Sequence, residues 1–178
     1  GLQRQLAAAG LIMGGHDGGE ITAAVLATPL LVPDDKAYVP VLVEVNGADL
    51  IGAGQEGVVP TELYAYALDS NGSIRDFFAR TLTLDLAKVC PASRQTGFKY
   101  WGRLDLAAGD YVIRVLVRNG ATGATGVKTA SITVPSASQD PPYLLPALFP
   151  EPMGKWVMAR DQNVESEAYP FMANGTPF

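Results

Sequence analysis

The sequence predicts an all-β fold, a sandwich of about seven short strands, and three observations carry that expectation. Residues 97–134, GFKYWGRLDLAAGDYVIRVLVRNGATGATGVKTASITV, divide into three strand-like runs. The middle run sets Tyr111, Ile113, Val115 and Val117 on one face and Arg114 and Arg118 on the other, a strand with one wet face. From Ile21 onward, turn signals recur every 8 to 15 residues with no long helical pattern between them. Tyr111 follows the tight Gly109-Asp110 turn, where a tyrosine corner would tie that turn to the sheet. Together these point to an immunoglobulin-like or fibronectin-like sandwich.

Taken in order, residues 2–13 place Leu2, Leu6, Ala9 and Met13 at helical spacing until Gly14 and Gly15 stop the pattern, so residues 1–19 read as a helical lead-in. Ile21 to Val32 is an apolar run that Pro29 marks as an edge strand, since proline removes a ladder donor. Ala37 to Asn46 puts Val39, Val41, Val43 and Val45 on one face, and Asn46-Gly47 is a turn signal. Residues 47–60, with four glycines and no period, read as a loop. Glu62 to Asp69 places Tyr64, Tyr66 and Leu68 on one side, and the SNGS after it reverses the chain into Ile74 to Leu86. Lys88 to Thr96 should cross between sheets, and the three strands already described complete a sandwich over residues 20–135. Eight of the 13 prolines lie from Pro135 onward, yet that segment also holds Leu144, Phe149, Trp156, Phe171 and Phe178. It is too apolar for a solvated linker, so residues 136–178 read as a Pro-rich strap packed on the sandwich, with one further short strand in KWVMAR.

Composition excludes several classes. At this length a chain buries about 70% of its unfolded surface, enough for a core without a metal or disulfide staple. A net charge of −5 argues against neutralising a nucleic-acid backbone. The single cysteine, Cys90, permits neither an intrachain disulfide nor a cysteine zinc site, and it reads as a small apolar side chain. No apolar run approaches 18 residues and the N-terminus shows no signal-peptide pattern, so neither a membrane span nor a signal peptide is expected in this chain.

No residue pattern supports catalysis. His16, the only histidine, lies among glycines, poorly placed to be oriented as a general base. Asp69-Ser70-Asn71-Gly72-Ser73 resembles a metal loop only faintly: counted as a calcium loop from Asp69, the glycine falls fourth instead of sixth and Arg80 stands where a glutamate belongs. A hairpin turn explains the same residues. The carboxylate pairs Asp34 with Asp35 and Asp105 with Asp110 read as solvated turns, and the glycosylation patterns at Asn71 and Asn174 are too short to assign. Neither a metal nor a cofactor is expected. The aromatic residues carry more. Phe98, Tyr100, Leu104 and Leu106 share one face, which puts Trp101 on the other beside Lys99, Arg103 and Asp105. A large ring on a charged face is a ligand platform or lies under another segment, and the strap is the economical cover. Trp101, Tyr100 and Trp156 are therefore the candidate surface contacts, for a protein or alternatively for a glycan.

The stretches RQLAAAG, AYVPVLVEVNGADL, ELYAYALDSNGSIRDFFARTLTLDL and GFKYWGRLDLAAGDYVIRVLVRNGATGATG with a closing VP, in that order, resemble the region downstream of the type A domain in bacterial von Willebrand factor A-related proteins. The resemblance implies a C-terminal accessory region of an exported multidomain protein, in the periplasm, at the cell surface or secreted. Metal-dependent adhesion in that family belongs to the type A domain, whose Asp-x-Ser-x-Ser motif is not in this chain, so no site residue carries over. The expectation is a non-catalytic module for protein interaction or spacing, with a carbohydrate-binding module as the alternative.

Overall fold

In the computed structural model, the described residues are 10–14, 16–30, 36–88, 97–136 and 157–160, the last with the side chain of Ala159 alone. They form nine strands: β1 (Gly18–Gly19), β2 (Ala23–Ala27), β3 (Lys36–Val45), β4 (Val58–Asp69), β5 (Ile74–Asp85), β6 (Phe98–Ala107), β7 (Gly109–Asn119), β8 (Thr125–Val134) and β9 (Val157–Arg160). A five-residue helix, α1 (Gly47–Ile51), follows β3, and residues 10–13 are also helical.

Two sheets result, in the orders β1-β8-β7-β4-β5 and β2-β3-β6-β9, antiparallel except where β9 runs parallel to β6. Counting from β2, the first, second and fifth strands share one sheet while the third, sixth and seventh share the other, the pairing of immunoglobulin-type sandwiches. Here the fourth strand, β5, pairs with the third. The alternation is the cause. Val39, Val41, Val43 and Val45 of β3 and Leu104 and Leu106 of β6 meet Leu63, Ala65, Ile113, Val115 and Val117 of the facing sheet. Each large aliphatic side chain in that layer contributes roughly 1.5–3 kcal/mol of burial. The tyrosine corner forms: Tyr111 Oη donates to the Ala107 carbonyl at 3.0 Å, fixing the crossing from β6 to β7.

Pro29 ends β2 after Ala27, at the edge of its sheet as expected. Pro40 is tolerated inside β3 for a related reason. Its carbonyl accepts from Thr28 N at 3.3 Å, so its missing donor faces the point where β2 has already ended.

Four expectations are corrected. The region 47–60 is not all loop, because the Asn46 side chain accepts from Asp49 N and starts α1, and β4 begins at Val58. Pro60 fits in β4 because its carbonyl accepts from Gly120 N, so its absent donor points toward β7, where the β4–β7 ladder starts only at Thr61. The first strand is shorter than read, since among the described residues pairing spans Ala23–Ala27 with an isolated bridge at Leu30. The outer face of β7 is not simply wet. Ile12 docks there against Tyr64 and Leu116, while Met13, assigned to the packed stripe, is 55% exposed. Arg114 fixes this turn of helix by donating to the Ile12 carbonyl at 2.9 Å. Residues 1–9, Cys90, the crossing at 89–96 and most of the proposed strap lie outside the described residues. The further strand near the C-terminus is present as β9.

Candidate interaction surface

The alternation in β6 correctly divides its aromatic residues, but neither described candidate presents a ring to solvent. Tyr100 points between the sheets, 1% exposed, with its ring centroid 5.7 Å from that of Phe78. Trp101 lies on the opposite face, paired across the ladder with Leu42 and packed near Leu26, and is 5% exposed. Both are therefore packed residues, Trp101 covered as the sequence favoured over a ligand platform; Trp156 lies outside the described residues. The charges around Trp101 are paired. Lys99 Nζ lies 3.2 Å from Glu44 Oε2, directly across the ladder, and Arg103 sits 4.7 Å over the Tyr38 ring while donating to Asp105 Oδ1 at 2.7 Å. Alternation shows which face a side chain takes, and it is silent on what lies over that face.

At one pole of the sandwich, a polar cleft of about 540 Å³ is lined by Lys36, Asp69, Arg75, Asp105, Asp110 and Tyr111, among others. Its carboxylates are engaged by neighbouring groups. Asp69 Oδ1 accepts from Asn71 N and Ser73 N, both at 2.9 Å, and Oδ2 accepts from Arg75 Nε at 2.7 Å. The Ser73 amide bond, with help from Arg75 and Asn71, holds the Asp69 carboxyl below its usual range against a smaller opposing effect of desolvation. Asp110 accepts from Thr133 Oγ1 at 2.7 Å. The 69–73 segment is thus the hairpin turn its residues suggested, with Gly72 at a φ of 76°. His16 is exposed, its ring Nδ1 within 2.7 Å of the Gly14 carbonyl. Among the described residues no three His, Cys, Asp or Glu side chains come together as a metal site.

The surface that sequence reasoning missed is the outer face of the five-stranded sheet. Tyr66 of β4 and Phe77 of β5 are cross-strand partners, their rings stacked with centroids 5.5 Å apart and planes 12° from parallel. Phe77 is 58% exposed. Val58 shares the face, Ile74 stands opposite Leu68 at its end, and Leu11 and Met13 flank Ile12 on the docked helical turn. These are the large hydrophobic residues left exposed among those described. Beside them Arg118 Nη1 donates to Glu62 Oε2 at 3.1 Å, and Tyr64 Oη donates to the same oxygen at 3.2 Å. Burial, then the nearby Glu62 charge, pushes the Tyr64 hydroxyl above its usual range.

No family model and no curated protein sequence matches the chain. Among solved structures it is similar to Bacteroides uniformis beta-glucuronidase, with a TM-score of 0.42 and 11% identity over 62% of this chain and 13% of that one. The same enzyme covalently bound to cyclophellitol-6-carboxylate aziridine gives a TM-score of 0.41 at the same identity and coverage. The chain thus spans 13% of the length of these structures.

Chemically, the outer face offers apolar contact area with a stacked aromatic pair, bordered by an organised Arg118–Glu62 pair. Clearer pointers were Tyr66 and Phe77 themselves, aromatic residues equidistant from the turn between β4 and β5, where a hairpin brings them opposite one another.

Proposed function

We propose that this chain is a non-catalytic immunoglobulin-like accessory module that engages a protein partner through the outer face of its five-stranded sheet. The observation that carries the reading is the exposed Phe77 stacked on Tyr66, with the other exposed hydrophobic residues at or near that face. The sequence resemblance supports its setting: an exported bacterial multidomain protein of the von Willebrand factor A-related group, at the periplasmic or outer side of the cell envelope, where the partner is a neighbouring domain or an envelope protein. A glycan-binding role loses Tyr100 and Trp101 as stacking rings, and among the described residues the exposed ring left to it is Phe77. The test is a photo-crosslinking side chain at position 77 of the parent protein in its own envelope, with a control at the exposed Glu56. Protein adducts at 77 and none at 56 are expected. An absence of adducts at 77, or glycan-array binding abolished by Phe77→Ala, would reverse the reading.

A further inference from the structure

The open side of the sandwich, where β5 and the second half of β6 both lack a neighbouring strand among the described residues, carries an inference independent of the partner reading. The phase of the β4–β5 ladder follows from two bonds, Leu86 N to the Gly57 carbonyl at 2.8 Å and Gly120 N to the Pro60 carbonyl at 2.7 Å. Leu84, Leu82, Arg80 and Phe78 therefore turn their backbone groups toward β4, and Phe77, Ala79, Thr81 and Thr83 turn theirs to the open edge. A row of outward N–H and C=O groups is a template for another strand.

Two groups in that row are already held. Phe77 N donates to Asp76 Oδ1 at 2.8 Å, and the Ala79 carbonyl accepts from Arg80 Nη1 at 2.9 Å. The other oxygen of the same carboxylate, Asp76 Oδ2, accepts from Asp105 N of β6 at 2.8 Å, beyond the last residue that β9 covers. One side chain thus occupies an edge donor from each sheet. With Asp76 and Arg80 in place, and the Asp85 carbonyl accepting from Lys88 N at 2.9 Å, the outward residues with both backbone groups unheld are Thr81 and Thr83, which leaves only one end of β5 as a template.

We propose that Asp76 is an edge guard, whose carboxylate takes the two backbone donors on the open side and so keeps a second copy of this chain from adding to β5. The copy is the natural occupant because two identical edges pair antiparallel about a two-fold axis, and the pairing would also cover the exposed Phe77 of each. Asp76→Ala is the test. At low concentration the Phe77 and Asp105 amides should exchange at least about tenfold faster, the loss of one hydrogen bond each. At rising concentration, sedimentation should show self-association well beyond that of the unaltered chain. Adding Thr81→Pro, which removes an outward donor that β4 does not use, should restore the original state. A folded Asp76→Ala that associates no more than the parent, or one whose association survives Thr81→Pro, overturns the proposal. If Asp76→Ala does not fold, Asp76→Asn, with one carbonyl oxygen for two donors, is read in the same way.

Discussion

Gly102 is where the two sheets close on one another. A Cβ there would lie 2.4 Å from Cζ and 2.5 Å from Cε1 of Phe78, which reaches in from β5 to fill the core beside Tyr100. Gly102→Ala should therefore cost about 1–3 kcal/mol by overpacking, read as a lower midpoint in urea unfolding; an unchanged midpoint would mean that the Phe78 ring has room to shift. Tyr111→Phe deletes only the hydroxyl that donates to Ala107, and should cost about 1 kcal/mol in the same assay. The two residues also differ in how legible they are. Tyr111 announces itself, because a tyrosine just after a Gly-Asp turn has few places to send its hydroxyl. Gly102 does not, since its necessity depends on a ring more than twenty residues away in the facing sheet.

At the scale of elements, the alternating strands were legible and the short helix was not. Asn46-Gly47 serves equally as a turn or as a helix start, because the asparagine oxygen accepts a nearby backbone N–H in either setting. Only the packing decides: Leu50 and Ile51 of α1 are buried, and Asn119 Nδ2 reaches across to the Leu50 carbonyl at 2.7 Å. Asn119 Oδ1 meanwhile accepts from Ala121 N and Thr122 N, so one buried side chain binds α1 to the β7–β8 turn. Asn46→Ala should cost about 1 kcal/mol through the lost cap. Asn119→Ala strands the buried Leu50 carbonyl and frees two amides of the β7–β8 turn, and should cost more, about 1–3 kcal/mol. Calorimetry of the two variants checks both, and equal melting points would contradict this ordering. The candidate surface was misplaced for a similar reason. Alternation put Trp101 on the outward side of its sheet, and its charged neighbours pointed to a cover there, but nothing in the pattern revealed that Phe77 on the other sheet remains open.

For the whole molecule, the titrating groups bound the pH range of stability. Asp69 and Asp85 are held below the ordinary carboxylate value of 3.8, Asp69 first by the Ser73 amide and Asp85 first by Lys88. The unfolded chain therefore binds more protons than the folded one in that region, and this contribution, present above 3.8, fades as pH falls through the folded values. Tyr64 acts at the other end. Its hydroxyl is raised above 10.0 by burial and by Glu62, so its contribution is complete below 10.0 and fades as pH rises beyond it. Urea midpoints across pH should fall on both sides, and Asp69→Asn should flatten the acid limb; an acid limb unaltered in that variant would remove Asp69 from this explanation. Between those limits the described residues form a sandwich whose inner faces pack on each other, and the Tyr66–Phe77 face is the surface through which we propose that it engages a partner. Amide hydrogen exchange, compared between this chain alone and the same residues within the parent protein in its envelope, tests that most directly. Slower exchange concentrated in Tyr64–Ala79 and residues 10–13 is the expected result, and equal exchange there, with protection appearing instead around the polar cleft of Asp69 and Asp110, would contradict it.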